Sequence, residues 1–544
     1  MKLFQPKLFT SIKSYSKKQL VNDLIAGVIV AIIALPLSIA LAIASGVSPE
    51  KGLYTAIIAG FVIAFLGGSN VNISGPTAAF ATIVAGIVAQ FGTSGLVIAT
   101  IMAGLILIIM GLLKFGSLIK YIPHTITTGF TSGIALTIVI GQIKDFLGLT
   151  FPEGMPTVET AEKVEAIAKS ITTFNPQALL VGAIGMAILI VWPKISKKIP
   201  GSLIAVLVGV VIVKAFDMDV NTVGDLYTIS RDLPRFSMPE FSFETVKQLV
   251  PSAFTIAILA GIESLLSCVV SDGMINDRHN SNTELIAQGV GNICSGLFGG
   301  IPATGAIART AANVKNGGRT PVAGIVHAIV LLLILVVLMP YAAWIPMPII
   351  AAILFMVAYN MCEWRQFVKI CKTAPKSDIL VLVVTFVLTV VFDLVVAIEV
   401  GMIIAVVLFM KRMADVAHIR TWSEKPHEND SERLKEIPKH TEVVEFEGPM
   451  FFASAEKFSK IPMGEDIKVI ILRMRNVPAL DATAMRSLNE IYSICKHSGR
   501  TLLLSHANEQ PLSVMKKAGF IDKVGEEHFL ANIDEALAYA EKIQ

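Results

Sequence analysis

Apolar stretches long enough to cross a lipid bilayer follow one another through most of this chain. Residues 22–412 hold roughly fourteen of them, each near the length of about 20 residues that a membrane-spanning helix needs. Charged residues make up 16% of the 544-residue chain and apolar residues 54%, whereas a soluble protein carries about 25% charged residues. The sequence therefore predicts an α-helical polytopic membrane protein.

The order of the basic residues predicts how the spans are oriented. The predicted spans lie at 22–44, 50–67, 73–91, 94–113, 118–141, 176–192, 199–216, 249–272, 283–298, 301–315, 321–339, 342–358, 377–392 and 394–411. With the N-terminal segment 1–21 inside, lysines and arginines recur in the inside connections, while the outside connections 142–175 and 217–248 are longer and more acidic. The positive-inside rule then places both termini in the cytoplasm.

Two of the spans contain a break. Residues 74–80 and 300–309 each hold a glycine and a proline followed by small residues. Because proline lacks the N–H of an inner helical turn but fits the first turn of a helix, Pro76 and Pro302 predict helices that begin in mid-membrane after a few extended residues. Such a helix start presents free N–H groups and a positive dipole end, which suits an anion. The alternative is that each break is only a kink in a continuous helix.

The two broken spans are the third and the tenth, seven spans apart. A half of seven spans crosses the membrane an odd number of times, so its repeat enters the other way up. The sequence therefore predicts an inverted repeat in which the two helix starts face each other near the middle of the bilayer.

Two charged residues lie inside predicted spans. Glu263 is in the middle of span eight and Arg309 lies about two turns after Pro302. Ser267 follows Glu263 by one helical turn, so the two side chains share a helix face and form a candidate H⁺ or Na⁺ site. The alternative is that Glu263 and Arg309 form a buried ion pair that only holds two helices together.

Other features carry less information about function. Asp393 is expected at the outer interface, Glu399 is a second candidate for an ion pathway, and His124 and His327 read as polar caps near span ends. Gly289 fits helix packing better than a nucleotide fingerprint. No phosphate-binding loop, metal-ligand cluster or paired-cysteine spacing occurs in the sequence, and the net charge of +3 is too small to suggest nucleic acid. We therefore expect no enzyme activity and no cofactor beyond a coupling ion.

The composition changes after the last span. Residues 413–436 are polar and are predicted to be a linker, and residues 437–544 are predicted to form a small cytoplasmic α/β domain. Strand patterns occur at 441–447, 467–472 and 501–505, and helical patterns at 482–496, 510–518 and 531–542.

Several motifs resemble those of the sulfate permease (SulP) family of anion transporters. They are residues 46–54, 67–77, 262–267, 287–292 and 299–304, in that order. The C-terminal domain resembles the STAS domain (sulfate transporter and anti-sigma-factor antagonist) that follows such transporters. The resemblance covers nearly the whole chain.

The resemblance implies an architecture and a site. It implies fourteen spans in two inverted sevens, with spans one to four and eight to eleven forming a core domain and the others a gate domain, elevator-type transport and a homodimer. It implies that an anion lies between the starts of spans three and ten, beside a basic residue, and that a coupling cation lies nearby. The residues at these positions are Thr77, Ala78, Ala79, Gly305, Ala306, Ile307 and Arg309 for the anion, and Glu263 and Ser267 for the cation.

The sequence departs from many sulfate-carrying members at Leu37, which follows Pro36 where they have Pro-Gln. The expected function is secondary active transport of sulfate, bicarbonate or a four-carbon dicarboxylate across the plasma membrane. A passive anion channel and a membrane sensor acting through the STAS domain are the alternatives. Thr483 matches the phosphorylated position of anti-sigma antagonists, although a helix N-terminal residue is the simpler interpretation, and the STAS domain is expected to bind a cytoplasmic regulator.

Overall fold

The computed structural model describes residues 4–544 except 118–122, 153–154, 156, 158, 197–198, 231, 240–241, 393, 423–436, 456, 458–463 and 465. The chain forms two compact units, Met1–Met402 and Ile403–Gln544. The described part of the first unit is almost entirely helical, and the second is built around a five-stranded sheet.

The helices of the first unit follow the apolar segments of the sequence. Up to the middle of the chain they are α1 (Lys7–Ser11), α2 (Lys17–Ala44), α3 (Pro49–Leu66), α4 (Ala81–Leu112), α5 (His124–Leu147), α6 (Thr160–Ser170), α7 (Pro176–Ile195), α8 (Gly201–Ala215) and α9 (Val223–Leu226). Beyond it they are α10 (Phe243–Ile275), α11 (Ser281–Leu297), α12 (Ile307–Lys315), α13 (Val322–Ala342), α14 (Met347–Cys362), α15 (Trp364–Thr373), α16 (Lys376–Val391) and α17 (Leu394–Val416), the last of which continues into the second unit.

Each predicted span overlaps one of these helices. Within the described residues, eight helical segments are both long and apolar enough to cross a membrane alone. The others, such as α11 and α12, are shorter. The mostly helical membrane-protein fold is as predicted, whereas the number of crossings and the inverted repeat remain predictions.

Spans three and four are joined more closely than the sequence suggests. Helix α4 runs through both, with one non-helical residue at Gly92, where φ is 67°. A left-handed φ is accessible to glycine at little cost, so the chain turns there without a loop.

Helices of the first unit approach each other at glycines. A Cβ atom built on Gly104 of α4 would lie 2.6 Å from the carbonyl oxygen of Gly289, and one built on Gly289 would lie 2.5 Å from that of Gly104. Only residues without a side chain allow α4 and α11 this separation. The helix-packing interpretation of Gly289 is confirmed.

The two predicted breaks form a short sheet with each other. Strand β1 (Ser74–Gly75) pairs antiparallel with β2 (Thr304–Gly305), with Ser74 opposite Gly305 and Gly75 opposite Thr304. The chain then enters a single 3₁₀ turn (Ala78–Phe80) and α4 on one side, and α12 on the other. Both segments are therefore broken, and the continuous-helix alternative is wrong.

The prolines do not start the helices, which corrects one expectation. Pro76 lies before the 3₁₀ turn, and Pro302 lies before β2 and five residues ahead of α12. The fixed φ of proline also suits extended backbone, and its missing N–H costs nothing beside a two-residue strand. Arg309 is consequently in the first turn of α12, not two turns into it.

The second unit holds strands β3 (His418–Trp422), β4 (Thr441–Glu447), β5 (Val469–Asn476), β6 (Thr501–Ser505) and β7 (Phe529–Leu530), in that spatial order. β4 to β7 are parallel and β3 joins the edge antiparallel to β4. Helices α18 (Ala482–His497), α19 (Glu509–Lys517), α20 (Phe520–Val524) and α21 (Ile533–Ile543) accompany the sheet. One hydrophobic core lies against α18, α19 and α20, and a smaller core lies against α21, as an α/β domain requires.

The linker prediction is wrong for part of 413–436. Helix α17 reaches Val416, and 418–422 form strand β3 paired with 443–447 of β4. The residues of β3 are mostly polar, because an edge strand leaves one side open to solvent. Their composition therefore predicted a linker. Residues 423–436 lie outside the described residues.

Candidate functional site

The start of α12 and the 3₁₀ turn before α4 emerge from the paired strands. Thr77 and Ala306 are the residues immediately before them, and among the described side chains none caps either start. The first N–H groups of a helix have no partner within it, so they need a side chain, water or a ligand. The arrangement therefore leaves backbone donors available on both sides of the β1–β2 pair.

These two starts differ in exposure. Ala78 and Ala79 are buried, Thr77 and Ala306 are partly exposed, and Ile307 is 42% exposed. Gly305 is buried, and its N–H donates to Ser264 Oγ of α10 at 2.9 Å. The predicted anion residues are thus grouped along the paired segments, with an accessible surface at Thr77, Ala306 and Ile307.

Glu263 of α10 contacts the first segment. Its Oε2 accepts a hydrogen bond from Thr77 Oγ1 at 3.0 Å, and both side chains are partly exposed. Its chain neighbour Ser264 contacts the second segment through Thr304 Oγ1, at 2.8 Å. Helix α10 therefore touches both breaks with consecutive residues.

Ser267 belongs to a buried polar network. Its hydroxyl donates to Asn72 Oδ1 at 2.8 Å and lies 3.1 Å from Thr310 Oγ1, and it is 1% exposed. Glu263 and Ser267 thus reach the same chain segment at opposite ends of β1, as their shared helix face predicts. The Ser267 hydroxyl is buried and bonded to protein partners on two sides, whereas Glu263 is partly exposed and has one hydrogen-bond partner among the described side chains, Thr77.

Arg309 lies between the two breaks. Its Nη2 donates to the carbonyl oxygen of Pro76 at 3.1 Å, the side chain is 3% exposed, and its Nη1 has no hydrogen-bond partner among the described residues. A Cβ on Gly75 would lie 2.6 Å from that Nη1. The glycine makes room for the guanidinium beside the backbone of β1.

The buried ion-pair alternative is not what the structure contains. In the described part of the chain no ion pair joins Glu263 to Arg309, because the carboxylate is held by Thr77 and the guanidinium by Pro76. The two charges therefore contact adjacent residues of one segment without neutralising each other directly.

Sequence reasoning missed a buried carboxylate behind the site. Glu284 of α11 is 1% exposed; it accepts from the Gly68 N–H at 2.8 Å, from Asn72 Nδ2 at 2.8 Å and from Gln288 Nε2 at 3.1 Å. It lies near the start of the predicted span 283–298 and was not among the candidate residues. The signal that could have found it is the run of amides at Gln288 and Asn292 on the same helix.

The secondary candidates have mixed outcomes. His124 is the first residue of α5, but its Nδ1 lies 3.0 Å from the Thr128 hydroxyl and bonds no helix-end N–H group that the structure describes, so it sits at a helix end without capping it. His327 is not a cap: it lies inside α13, is fully buried, and neither ring nitrogen has a hydrogen-bond partner among the described residues. Glu399 is exposed on α17, and Asp393 lies outside the described residues.

In the second unit, Asp481 precedes α18 and caps it. Its carboxylate accepts from the N–H groups of Ala484 at 2.8 Å and of Phe452 at 2.9 Å. Thr483 is exposed in the first turn of α18. Its position suits a helix N-terminal residue, and its phosphorylation stays a prediction.

Comparison with known proteins identifies the family. Residues 20–385 match the sulfate permease family and residues 433–536 match the STAS domain. The putative sulfate transporter YvdB of Bacillus subtilis is 40% identical over 528 residues, covering 96% of this chain and 98% of that protein. The bicarbonate transporter BicA of Picosynechococcus is 32% identical over 544 residues, covering 95% and 94%.

A solved structure supports the same fold. The murine Slc26a9 anion transporter in its inward-facing state superposes with a TM-score of 0.89 at 21% identity, covering 99% of this chain and 94% of that one. The chain thus belongs to the sulfate permease family and carries a C-terminal STAS domain.

Proposed function

We propose that this protein is a secondary active transporter of a small anion, with sulfate, bicarbonate and four-carbon dicarboxylates as the candidate substrates. Relatives named as sulfate and bicarbonate transporters cover almost the whole chain. A family of transporters also accords with the expectation that the chain is not an enzyme.

One observation carries the proposal: two uncapped helix starts emerge from a strand pair inside the helical unit. Free backbone N–H groups and the positive ends of helix dipoles favour a negative charge placed between them. Small residues at Ala78, Ala79 and Ala306 allow a ligand to approach the backbone closely. The guanidinium of Arg309 adds a full positive charge at Pro76.

The placement of Glu263 supplies a means of coupling. A carboxylate bonded to Thr77 lies on the segment that would hold the anion, and two negative charges near each other repel. A proton or Na⁺ at Glu263 removes this repulsion, so cation and anion favour each other's binding. Such reciprocal coupling is what symport needs. Either cation satisfies the argument.

The remaining parts of the proposal concern the assembly. We place the protein in the plasma membrane as a homodimer with both termini in the cytoplasm. Its fourteen spans form two inverted sevens, and the core domain moves against the gate domain in the manner of an elevator. The basic inside connections support the orientation. The antiparallel pairing of β1 with β2 supports the inverted repeat.

Uptake by proteoliposomes tests the proposal. The purified full chain would be assayed with labelled sulfate, bicarbonate and succinate, with and without an inward Na⁺ gradient and at two external pH values. We expect at least one anion to accumulate above its equilibrium level when a cation gradient is imposed. Accumulation only to equilibrium, whatever the cation gradient, would instead establish a passive channel.

Glu263→Gln tests the coupling separately. The amide keeps an acceptor for Thr77 but carries no charge, so we expect the cation dependence of uptake to disappear while the protein still folds. Glu244→Gln is the matched control, because that carboxylate is exposed in the first turn of the same helix, α10. Unchanged cation dependence in Glu263→Gln removes this residue from the mechanism.

A further inference from the structure

A short amphipathic helix stands apart from the candidate site. Helix α15 has ten residues, follows α14 after Glu363 at a φ of 44°, and ends just before α16. Ten residues make about 15 Å of helix, about half the hydrocarbon thickness of a bilayer. This helix therefore connects two membrane segments without crossing.

The helix presents three distinct sides. Phe367 and Ile370 face the protein: the Phe367 ring packs edge-on against Phe386 of α16 with centroids 5.4 Å apart, and Ile370 is buried. Trp364 and Val368 form an apolar side that is 46% and 39% exposed. The apolar surface of α15 is thus only partly used by the protein.

The third side is basic. Arg365, Lys369 and Lys372 recur at a helical spacing that places them within about 60° of one another around the axis. All three are exposed. None has an ion-pair partner among the residues that the structure describes. Arg365 lies over the Trp364 ring, 5.6 Å from its centroid.

A cavity of about 680 Å³ opens at the start of this helix. It is lined by the start of α5 and by the junction of α14 with α15, including His124, Tyr359, Asn360, Glu363 and Arg365. Arg365, the Tyr359 hydroxyl and the Asn360 amide can donate hydrogen bonds into the cavity. Glu363 is the one carboxylate among its lining residues. Of the three basic residues, Arg365 lines the cavity, next to the exposed Trp364.

We propose that α15 lies in the membrane interface and, with this cavity, binds the phosphate headgroup of an anionic phospholipid. Trp364 and Val368 enter the acyl boundary, where an amphipathic aromatic ring is favoured. Arg365, Lys369 and Lys372 stay at headgroup level and attract the negative lipid. A soluble acidic partner would use the cations but would leave the neighbouring apolar side in water, so the lipid fits both sides.

Native mass spectrometry of the full chain in mild detergent tests the proposal. Phosphatidylglycerol and phosphatidylcholine with identical acyl chains would be added in equal amounts. We expect a preference for phosphatidylglycerol that falls about tenfold or more in the R365Q/K369Q/K372Q variant. The control K516Q/K517Q/K542Q removes as many exposed positive charges from the second unit and should keep the preference. Equal preference in the two triple variants overturns the proposal, and so does displacement of the lipid by inorganic phosphate at the same concentration.

Quenching of Trp364 fluorescence gives a second test, which leaves the charges of α15 unchanged. In vesicles, brominated acyl chains quench tryptophans that enter the acyl boundary, and the difference between the wild type and W364F isolates Trp364. We expect this difference to show quenching, and more of it with brominated phosphatidylglycerol than with brominated phosphatidylcholine. No quenching of Trp364, or equal quenching by both lipids, contradicts the proposed site.

Discussion

The two chain breaks share a backbone plan, and buried side chains hold both, but charged side chains contact the first. The second is fixed by buried groups: Asn292 exchanges two hydrogen bonds with the backbone of Ala303, and Ser264 contacts both Thr304 and Gly305. The first receives the charges, with Arg309 at Pro76 and Glu263 at Thr77. The second segment is thus a support, and the first is where charge acts.

This difference shows that a repeated backbone does not impose repeated chemistry. Both segments present a helix start, yet the cation and the carboxylate converge on adjacent residues of the first segment alone. A bound anion would feel both charges there. The more exposed helix start, at Ala306 and Ile307, belongs to the second segment, whereas the residues that the two charged side chains contact belong to the first.

The largest effect on uptake is expected when a side chain is added to the second segment, at Gly305. A Cβ on Gly305 would lie 2.8 Å from Asn72 Nδ2 and 3.0 Å from Ser264 Cα, so Gly305→Ala must displace β2. Overpacking of this kind costs about 1–3 kcal/mol, and we expect initial uptake rates to fall about tenfold or more. Gly86→Ala is the control, since its Cβ meets nothing within 4 Å. Equal uptake by the two variants would show that β2 is not a rigid support.

A smaller effect is expected on the charged side. Gly75→Ala brings a Cβ to 2.6 Å from Arg309 Nη1, the end of a flexible side chain. Displacement of the guanidinium should raise the KM for the anion severalfold with little change in protein level. The loss should be non-additive with Arg309→Lys in a double-mutant cycle. Additive losses would mean that Gly75 acts independently of Arg309.

The contact of Glu263 with this segment gives a third test. Thr77→Val removes the hydroxyl that donates to the carboxylate, and a hydrogen bond to a charged group contributes about 1.5–3 kcal/mol. We expect the cation concentration for half-maximal uptake to shift about tenfold or more. Thr131→Val, which removes a hydroxyl bonded within α5, should not shift it. A shift of equal size in both variants would contradict a specific contact.

The smallest effect is expected on the stability of the fold. It concerns an ion pair beside Asn70, a few residues before the first segment. Lys7 Nζ lies 3.0 Å from Asp277 Oδ2, which also accepts from Asn70. Burial raises the pKa of Asp277, but the hydrogen bonds from Lys7 and its neighbours outweigh this and hold it below its usual value. The charged Asp277 therefore stabilises the fold at pH values above its unfolded pKa of about 4. This stabilisation is lost as the pH falls through its lower pKa in the folded state.

Lys7→Gln should consequently lower the unfolding temperature at neutral pH by a small amount, since a partly exposed pair contributes about 0–1 kcal/mol. We expect the difference from the wild type to shrink as the pH falls below about 4. Lys18→Gln, at an exposed position, is the control. A difference that stays constant down to low pH would mean that the pair does not stabilise the fold through charge.

Much of this arrangement follows from local sequence chemistry. A glycine and a proline within an apolar run mark a break, because a helix cannot pass through proline without losing a hydrogen bond. The helices of the first unit follow apolar length in the same way, and the strands of the second unit follow buried apolar runs. These features depend on near neighbours in the chain and are therefore predictable from it.

The rest depends on long-range geometry. Two-residue strands such as β1 and β2 are too short to show an alternating pattern, so their pairing could not be predicted from the sequence. The partner of Arg309 is the backbone of Pro76, and no side-chain pattern predicts a carbonyl partner. The burial of His327 and Glu284 is set by which helices surround them, and β3 is a strand only because β4 lies beside it.

Protection of the site by its ligand tests the central claim most directly. Ile307→Cys, at the exposed start of α12, would be reacted with a charged thiol reagent, and modification of the peptide containing residue 307 would be followed by mass spectrometry. If the anion binds between the two helix starts, a saturating amount of the transported anion should slow modification about tenfold or more. An unchanged rate at saturation would place the anion elsewhere and contradict the account.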